Sequence, residues 1–281
     1  KNIKSVILVE NLLSALPLIL TKNIDFALDL HGDVVDELRL LQGYPTLVTK
    51  FLYLIEDYFL RKSCSISVCS QNHKKAIEYR LGVNHKKITV VPNVADVLAD
   101  NPNFYDKEFE EFVYNKICLV YSGSSLKWQN PDIILAFFSG LINYSGEYRL
   151  IILSRDRDFF NELINLKYGS IAHLILTKSV DFLDIGYYYT KCHFGIVFRD
   201  FSRTNFVSSP TKILEYANCN LRILYSGYIG DFLNENIESP HLIDCINYRS
   251  EIDIIAKHMT NSLNSSYYSF FYPKSLNNIS L

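Results

Sequence analysis

A lysine and a glutamate stand one helical turn apart in the stretch SSPTKILEYANCNLRILYSG, residues 208–227. Pro210 has the fixed φ and the missing N–H that suit the first position of a helix, and Ser209 carries a side-chain oxygen suited to the N-cap. Lys212 and Glu215 then point to one side of that helix, away from its apolar face. The pair is either a solvated surface ion pair or part of a site for a charged ligand.

The start of such a helix is a natural place for an anion. The free N–H groups of the first turn and their partial positive charge favour phosphate. Ser208 and Ser209 add hydroxyl donors, and Lys212 adds a positive charge. This stretch therefore predicts phosphate binding, with the Glu215 carboxylate available as an acceptor one turn further on.

Two further loops hold side chains that suit anion binding. Arg199 directly follows the apolar run HFGIVF, and Arg203 comes four residues later. In YSGSSLKWQN, Gly123 allows a ligand to approach the backbone closely, while Ser124 and Lys127 supply donors. Each loop also has an ordinary explanation, as a solvated strand end or a strand-to-helix turn.

His31 and three acidic residues form another candidate group. His31 ends the run DFALDL, and Asp33, Asp36 and Glu37 follow it. A histidine in this place is usually a hydrogen-bonded structural residue. The acids lack a partner cluster at metal-ligand spacing, so we expect a solvated acidic helix start rather than a metal site.

Apolar runs alternate with helical patterns along the chain. The runs are SVILVE, DFALDL, SISVCS, KITVVP, ICLVYSG, YRLIILS, AHLILT, HFGIVF and LRILYSG. Asn130-Pro131 and Asp156 are predicted helix starts, and Asn220 is a predicted left-handed helix end. The alternation is typical of α/β proteins with doubly wound parallel sheets. Ligands of such sheets bind beyond the carboxyl ends of the strands, where the loops named above are found.

The length and composition predict two domains. The chain has 281 residues, of which 48% are hydrophobic, enough for two ordinary cores. We predict a Rossmann-like domain over 1–95, a polar and acidic linker over 96–116, and a second Rossmann-like domain over 117–281. A strand pattern begins almost at Lys1, so we expect the first domain to be small or incomplete.

Charge and cysteine usage exclude several classes of protein. The net charge of −2 and the lack of a basic run argue against a nucleic-acid partner. The six cysteines form no CxxC pair, which predicts reduced, buried cytosolic thiols rather than a disulfide framework or a zinc site. The longest apolar stretches are too short or too charged to span a bilayer, which predicts a soluble or membrane-surface protein.

Several segments, in this order, carry a family resemblance. DLHGDVVDE and CSISVCSQNHKKAIEYRLGVNHKKITVVPNVAD are followed by CLVYSGSSLKWQNPDIILAFF and by HFGIVFRDFSRTNFVSSPTKILEYANCNLRILYSG. Together they resemble the family-four (group 1) retaining glycosyltransferases of the GT-B fold. That fold consists of two Rossmann-like domains that face each other across a cleft. The last segment is similar to a branch whose donor loop reads Ser-Pro-x-Lys-x-x-Glu-Tyr.

The resemblance implies roles for particular residues. The family histidine that faces the donor sugar corresponds to His31, and its glutamate that binds ribose hydroxyls corresponds to Glu215. Asn93 corresponds to an asparagine that contacts donor or acceptor. The catalytic residues implied are His31, Arg199 and Lys212. The donor-binding residues implied are Gly123, Ser124, Lys127, Arg203, Ser208, Ser209, Glu215 and Asn93.

The chain departs from the family pattern in three places. The first glutamate of the usual E-x7-E pair would stand at Val207, so only Glu215 of that pair is present. The arginine and lysine of the second-domain entry loop are represented at most by Lys127. The first domain lacks two or so strand and helix units of the family. Sugar recognition and acceptor binding are therefore expected to differ.

The expected function is retaining transfer of a hexose-type sugar from a UDP- or GDP-type nucleotide-diphosphate sugar to an acceptor hydroxyl. No carboxylate stands in the place of a nucleophile, so we expect a front-face substitution. The resemblance implies no metal or other cofactor and a cytoplasmic enzyme, free or on the inner face of the membrane. The acceptor would be a glycan or a lipid-linked glycan of surface polysaccharide synthesis. The alternatives are a non-catalytic nucleotide-binding subunit and a nucleotide-sugar epimerase or hydrolase of the same fold. The sequence leaves the oligomeric state open.

Overall fold

The computed structural model describes residues 6–20, 24–82, 87–95, 104–232 and 242–263. The chain divides into two compact units, and neither is continuous in sequence. The first unit contains residues 1–93, 201–210 and 228–233, and the second contains residues 94–200, 211–227 and 234–281. The predicted domain boundaries remain a prediction, and residues 96–103 of the predicted linker lie outside the described residues.

The strands in the described parts of the chain are all paired in parallel. They are β1 (Ile7–Val9), β2 (Phe26–Leu30), β3 (Ser65–Val68), β4 (Ile88–Val90), β5 (Ile117–Ser122), β6 (Tyr148–Leu153), β7 (Ile175–Lys178), β8 (Phe194–Phe198), β9 (Arg222–Ser226) and β10 (Leu242–Asp244).

The α-helices alternate with these strands along the chain, and the last helix follows the last strand. They are α1 (Leu12–Ala15), α2 (Val34–Gln42), α3 (Thr46–Lys62), α4 (Gln71–Leu81), α5 (Lys107–Val113), α6 (Pro131–Tyr144), α7 (Arg157–Lys167), α8 (Ile185–Thr190), α9 (Arg203–Val207), α10 (Thr211–Asn218) and α11 (Tyr248–Leu263). Short 3₁₀ segments cover Leu16–Leu20, Lys127–Gln129, Gly169–Leu174 and Phe182–Asp184.

The first unit is built on a four-stranded sheet in the order β1-β2-β3-β4. The alternating burial of β2, with Phe26, Leu28 and Leu30 inside, places one apolar face of this strand in the core. Helices α3 and α4 contribute Phe59, Leu60 and Ile77 to the same core. The segment that contains α9 packs within this unit.

The second unit is built on a six-stranded sheet in the order β10-β9-β8-β5-β6-β7. Strands β8 and β9 are buried along their whole length, as expected of parallel strands covered on both faces. The chain leaves β5 toward β6 and β7 and then returns to the other side of β5 as β8. The sheet therefore has a topological switch point between β5 and β8, and ligands of such sheets bind at that point.

The fold class predicted from the sequence is confirmed, since both units are α/β with parallel sheets. Each of the nine apolar runs overlaps a strand. Helix α6 begins at Pro131, and Asn220 has the left-handed φ of 61° expected of a helix end. Strand β10 was not predicted, because three residues are too few for a periodic pattern.

Helix α10 is locked against the sheet of the second unit by an aromatic side chain. Tyr216 of α10 is fully buried, and its ring lies against Gly195 of β8, where a Cβ atom would overlap the ring. The backbone N–H of Ser122, at the end of β5, donates to the Tyr216 hydroxyl at 2.9 Å. Tyr216 therefore fixes the start of α10 relative to the carboxyl end of β5.

Candidate functional site

The carboxyl end of β5 forms one wall of the candidate site. Gly123 follows β5, and its N–H donates to the carbonyl of Leu153 at the end of β6, at 3.2 Å. A side chain at Gly123 would collide with Tyr121 and Gln129. Gly123 lines two cavities of the second unit, so the backbone of this turn lies at the switch point of the sheet.

Two cavities of the second unit meet at this turn. The first, of about 250 Å³, lies beyond the ends of β5 and β6. Its lining residues are Ser122, Gly123, Ser124, Leu153, Ser154, Arg155, Val180, Phe182, Ile185 and Lys212. The second, of about 210 Å³, lies beyond the ends of β5 and β8, and Gly123, Arg199, Thr211 and Lys212 are among its lining residues. Together the two reach the size usual for a small-molecule site, roughly 300–1,000 Å³.

The amino end of α10 therefore opens onto both cavities. Thr211 and Lys212 are the first two residues of this helix, and both line the second cavity. Lys212 lines the first as well. The unsatisfied N–H groups and the positive end of the helix dipole add to the charge of the lysine there. The arrangement suits an anion.

Lys212, which lines both cavities, forms an ion pair with Glu215, which lines neither. The Nζ atom of Lys212 donates to Glu215 Oε2 at 2.6 Å, and the Tyr189 hydroxyl donates to the same oxygen at 3.3 Å. Glu215 is only 5% exposed, whereas the lysine side chain is 28% exposed. The pair is thus not fully solvated, and the carboxylate is held in one orientation.

Serine side chains and an aspartate shape the loop after β5. The backbone N–H and the hydroxyl of Ser125 both donate to Asp156 Oδ2, at 2.7 and 2.9 Å. These bonds hold the pKa of Asp156 below its usual value. Ser124 Oγ is buried and has no hydrogen-bond partner among the described residues. The hydrogen bonds to Asp156 therefore fix the loop after β5. The hydroxyl of Ser124, in the wall of the first cavity, is left for a ligand.

Arg199 supplies a second cation at the switch point. It follows β8, lines the second cavity and has its N–H bonded to the carbonyl of Ser226 at 3.0 Å. Burial lowers the pKa of its guanidinium group, and nearby Tyr121 and Asp200 oppose that shift. An arginine remains charged under these conditions. Gly123, Arg199 and Lys212 are thus brought to one cavity.

Other predicted site residues lie outside both cavities. Lys127 is exposed on a short 3₁₀ segment of the second unit and does not line either cavity. In the first unit, the side-chain amide of Asn93 donates to the carbonyl of Ser209 at 2.8 Å. Ser208 Oγ donates to the carbonyl of Asn205 at 2.9 Å. Asn93 therefore holds the backbone that precedes α10 in the chain.

His31 of the first unit lies in an exposed position. Its Nε2 atom is 3.2 Å from Asp29 Oδ2, and its side chain is 63% exposed. Cys69 lies beneath the loop, and its thiol donates to the His31 carbonyl at 3.2 Å. The carboxylate nearest to the His31 ring is thus that of Asp29, on the preceding strand β2, rather than that of an acid in the following helix α2.

The acidic start of α2 is buried, and the prediction that it is solvated was wrong. Asp33 and Asp36 are 3% and 4% exposed. Asp33 caps α2 and accepts hydrogen bonds from the Tyr53 hydroxyl, at 3.0 Å, and from Arg203 Nε. Asp36 accepts hydrogen bonds from the backbone and hydroxyl of Thr204. Arg203, which is distant in sequence, neutralises Asp33, and the local pattern could not reveal that partner. Asp36 is neutralised locally, by Arg39 of the same helix at 2.7 Å.

The position of the missing glutamate belongs to the core of the first unit. Val207 is fully buried, and its carbonyl accepts a hydrogen bond from Ser70 Oγ at 2.7 Å. The carbonyl of the preceding residue, Phe206, accepts a hydrogen bond from the side-chain amide of Asn72 at 3.2 Å. No carboxylate can therefore occupy this place without disrupting the packing.

A buried histidine beside this network makes the stability of the first unit depend on pH. Burial is the main cause that lowers the pKa of His73 to about 4, and Arg203 and Arg80 add to it while Asp33 opposes it. The unfolded chain binds the proton near pH 6.5 and the folded chain only near pH 4. The stabilisation is complete above pH 6.5 and is lost as the pH falls through that window. At pH 5 we expect His73 alone to account for a loss of about 2 kcal/mol.

Urea unfolding at pH 7.5 and pH 5 checks this expectation. The variant His73→Gln should lose less stability on acidification than the unmodified chain, whatever its stability at pH 7.5. His258→Gln, at an exposed position of α11, is the control and should keep the full pH dependence. An equal dependence in His73→Gln and the unmodified chain would contradict the assignment.

Several cavity residues were not identified from the sequence. Arg155 lies in a loop that follows a predicted strand, but it was not singled out among the charged residues there. Val180, Phe182 and Ile185 are apolar and lie beyond β7. The rule that ligands bind beyond parallel strands could have pointed to them, since β7 ends at Lys178.

Comparisons with known proteins give the fold. No protein-family model matches the chain, and no curated protein matches it. Sucrose-phosphate synthase from Thermosynechococcus elongatus is similar in structure, with a TM-score of 0.62, 12% identity, and coverage of 92% of this chain and 68% of that protein. TarM from S. aureus, in complex with fondaparinux, α-GlcNAc-glycerol and UDP, has a TM-score of 0.63, 10% identity, and coverage of 92% and 48%. HepE from Anabaena, in complex with UDP and glucose, has a TM-score of 0.59, 10% identity, and coverage of 90% and 68%.

These likenesses place the chain among proteins with two parallel-sheet α/β domains, as found in GT-B glycosyltransferases. The sequence identities to these three proteins are 12% or less, so the similarity is one of fold alone. The chain spans about half to two thirds of the length of these proteins, from 48% to 68%. None of the helices in the described ranges is long and apolar enough to cross a membrane.

Proposed function

We propose that the protein is a glycosyltransferase that moves a sugar from a nucleotide-diphosphate sugar to an acceptor hydroxyl. One observation carries the proposal: the amino end of α10, with Lys212, opens onto two cavities at the switch point of a parallel sheet. Two neighbours of similar fold were solved with UDP, one of them with glucose as well. Their ligands support a nucleotide-sugar donor for this chain.

The proposed chemistry follows from the charges at the site. A nucleoside diphosphate leaves a sugar only if its developing negative charge is stabilised. Lys212, Arg199 and the free N–H groups of α10 supply positive charge and donors in a partly buried place. Ser124 Oγ adds a hydroxyl without another partner among the described residues. In this proposal these groups, rather than a metal ion, offset the charge of the diphosphate.

We further propose retention at the anomeric carbon by front-face substitution, in which the departing phosphate accepts the proton of the acceptor hydroxyl. The cavity linings contain no aspartate or glutamate among the residues described, so neither cavity supplies a nucleophilic carboxylate. His31 keeps the role that the resemblance gives it, contact with the donor sugar. A glycan or lipid-linked acceptor and a role in surface polysaccharide synthesis belong to the same proposal.

Glu215 is proposed to accept hydrogen bonds from the ribose hydroxyls of the nucleotide. We expect Glu215→Gln to weaken UDP binding by about tenfold, because a bond to a charged acceptor contributes roughly 1.5–3 kcal/mol. The same variant should lose most of the preference for UDP over 2′-deoxy-UDP. Calorimetric titration of both nucleotides measures the effect.

The control for this variant is Glu147→Gln, which removes an exposed ion pair with Lys116 at 2.8 Å in the same unit. It should leave both affinities unchanged. If Glu215→Gln binds UDP and 2′-deoxy-UDP with the ratio of the unmodified chain, Glu215 does not contact the ribose.

A non-catalytic nucleotide-binding subunit is the second candidate. The observation that favours it is Val207, whose buried side chain occupies the place of the first family glutamate. Such a subunit would bind the nucleotide without turnover. An epimerase or hydrolase would need an acid/base pair, and Asp33 is already engaged by Arg203 and Tyr53.

One experiment separates these functions. UDP, GDP and their sugars are titrated first, and the release of free nucleotide is then measured with and without candidate glycan acceptors. Release that depends on acceptor supports transfer, release without acceptor supports hydrolysis, and binding without release supports the subunit. No binding of any nucleotide would overturn the proposed function.

A further inference from the structure

Helix α3 of the first unit presents an apolar stripe to solvent. Leu47, Phe51, Leu54 and Tyr58 recur at the spacing that places them on one side of a helix over three turns. Leu47 is 80% exposed, Phe51 61% and Leu54 67%. A contiguous apolar surface of this kind usually marks a place of interaction.

This stripe is distinct from the side of α3 that packs in the core. The buried residues of α3 are Thr49, Glu56, Phe59 and Leu60, which lie on the opposite side of the helix. The exposed apolar side chains are therefore not the ones that pack α3 against the core of the first unit. It calls for a partner outside the described residues.

The charged side chains around the stripe have one sign. Lys50, Arg61 and Lys62 are exposed and flank it. Glu56 is buried against Arg80, and Asp57 is paired with Arg80 at 2.8 Å. No acidic residue occurs anywhere in 38–55. The charged side chains that are exposed on α3 itself are accordingly all positive.

Two further apolar side chains before α3 are exposed. Leu41, near the end of α2, is 52% exposed, and Tyr44, in the turn before α3, is 39% exposed. Aromatic side chains such as Tyr44, Phe51 and Tyr58 suit the boundary between lipid headgroups and acyl chains, because they have an apolar body and, in tyrosine, a polar tip.

We propose that the stripe and its flanking cations form a docking surface for an anionic lipid bilayer. A helix with leucine and phenylalanine on one side and lysine and arginine beside them lies in the plane of such an interface. Each cation near an anionic bilayer strengthens binding about fivefold. A second copy of the chain fits less well, since a symmetric contact through the stripe would bring the three cations of each copy together.

This proposal stands on the first unit alone and does not depend on the proposed function. The test is co-sedimentation of the 281-residue chain with vesicles of phosphatidylcholine, or of phosphatidylcholine with phosphatidylglycerol. We expect binding to the anionic vesicles that weakens as salt is added. Leu54→Glu should reduce that binding about tenfold or more, because it removes apolar contact and adds a repelled charge. Lys50→Gln should reduce it about fivefold.

Leu166→Glu provides the matched control, since Leu166 is 77% exposed on α7 of the second unit. Leu166→Glu should bind anionic vesicles as well as the unmodified chain does. Leu54→Glu and Leu166→Glu should both keep the melting temperature of the unmodified chain. Equal binding by Leu54→Glu and Leu166→Glu would overturn the proposal. So would equal binding to neutral and anionic vesicles, or a dimer in sedimentation velocity that Leu54→Glu dissociates.

Discussion

Replacement of Lys212 by alanine is expected to weaken binding of UDP or GDP about 10- to 100-fold and to leave the affinity for the free nucleoside unchanged. A charge-assisted hydrogen bond to phosphate contributes roughly 1.5–3 kcal/mol, and the nucleoside has no phosphate to bind. Lys212 is held in place by Glu215, at 2.6 Å, and its side chain is accessible from both cavities. Titration calorimetry with nucleoside, monophosphate and diphosphate measures the effect.

Lys167→Ala is the matched control for this prediction. Lys167 also forms an ion pair at 2.6 Å, with Asp132, and it lies in the same unit. Its side chain is 51% exposed, so the pair contributes little to stability. We expect no change in nucleotide affinity. If the two lysine variants bind UDP equally well, the phosphate does not bind at the start of α10 and the proposed site is wrong.

Gly195→Ala is expected to destabilise the second unit by about 2–3 kcal/mol and to abolish nucleotide binding. An added methyl group would overlap the Tyr216 ring in a fully buried part of the core, and overpacking of this kind typically costs about 1–3 kcal/mol. Displacement of Tyr216 would also break the bond from Ser122 to its hydroxyl. The substitution is therefore expected to disturb the carboxyl end of β5, where the candidate site lies.

Urea unfolding followed by tryptophan fluorescence measures this change. Trp128 is the only tryptophan of the chain, is buried and belongs to the second unit, so the signal reports that unit. Gly146→Ala is the control, because a Cβ atom there has open space. It should keep the stability of the unmodified chain within about 0.5 kcal/mol. Equal stability of the two alanine variants would show that Tyr216 does not set the position of α10.

The elements that carry the site could be predicted because their signals are local. The runs ICLVYSG and HFGIVF form β5 and β8, and Pro210 and Asn220 bracket α10. An apolar run, a proline and an asparagine constrain the backbone of their own neighbourhood in any fold. Helical periodicity also predicts that Lys212 and Glu215 point outward from α10. That expectation is wrong for Glu215, which is buried at 5% exposure by the packing around it.

The partners of the charged residues could not be predicted in the same way. Asp33 and Asp36 have the pattern of an exposed helix start, yet Arg203 and Thr204, about 170 residues further on, enclose them. Arg203 was expected at the diphosphate and is instead engaged by Asp33. Likewise Asn93 bonds to the Ser209 carbonyl within the first unit.

Local pattern thus settled which residues form strands and helices and which side chains leave each helix on its polar side. The packing of distant segments decided which of those side chains meet a cavity and which are neutralised by another part of the chain. Backbone preferences act over a few residues, whereas the burial of a charge depends on partners that only the complete fold brings within hydrogen-bond distance. Lys212, which lines both cavities, and Arg203, which is paired with Asp33, consequently have different surroundings.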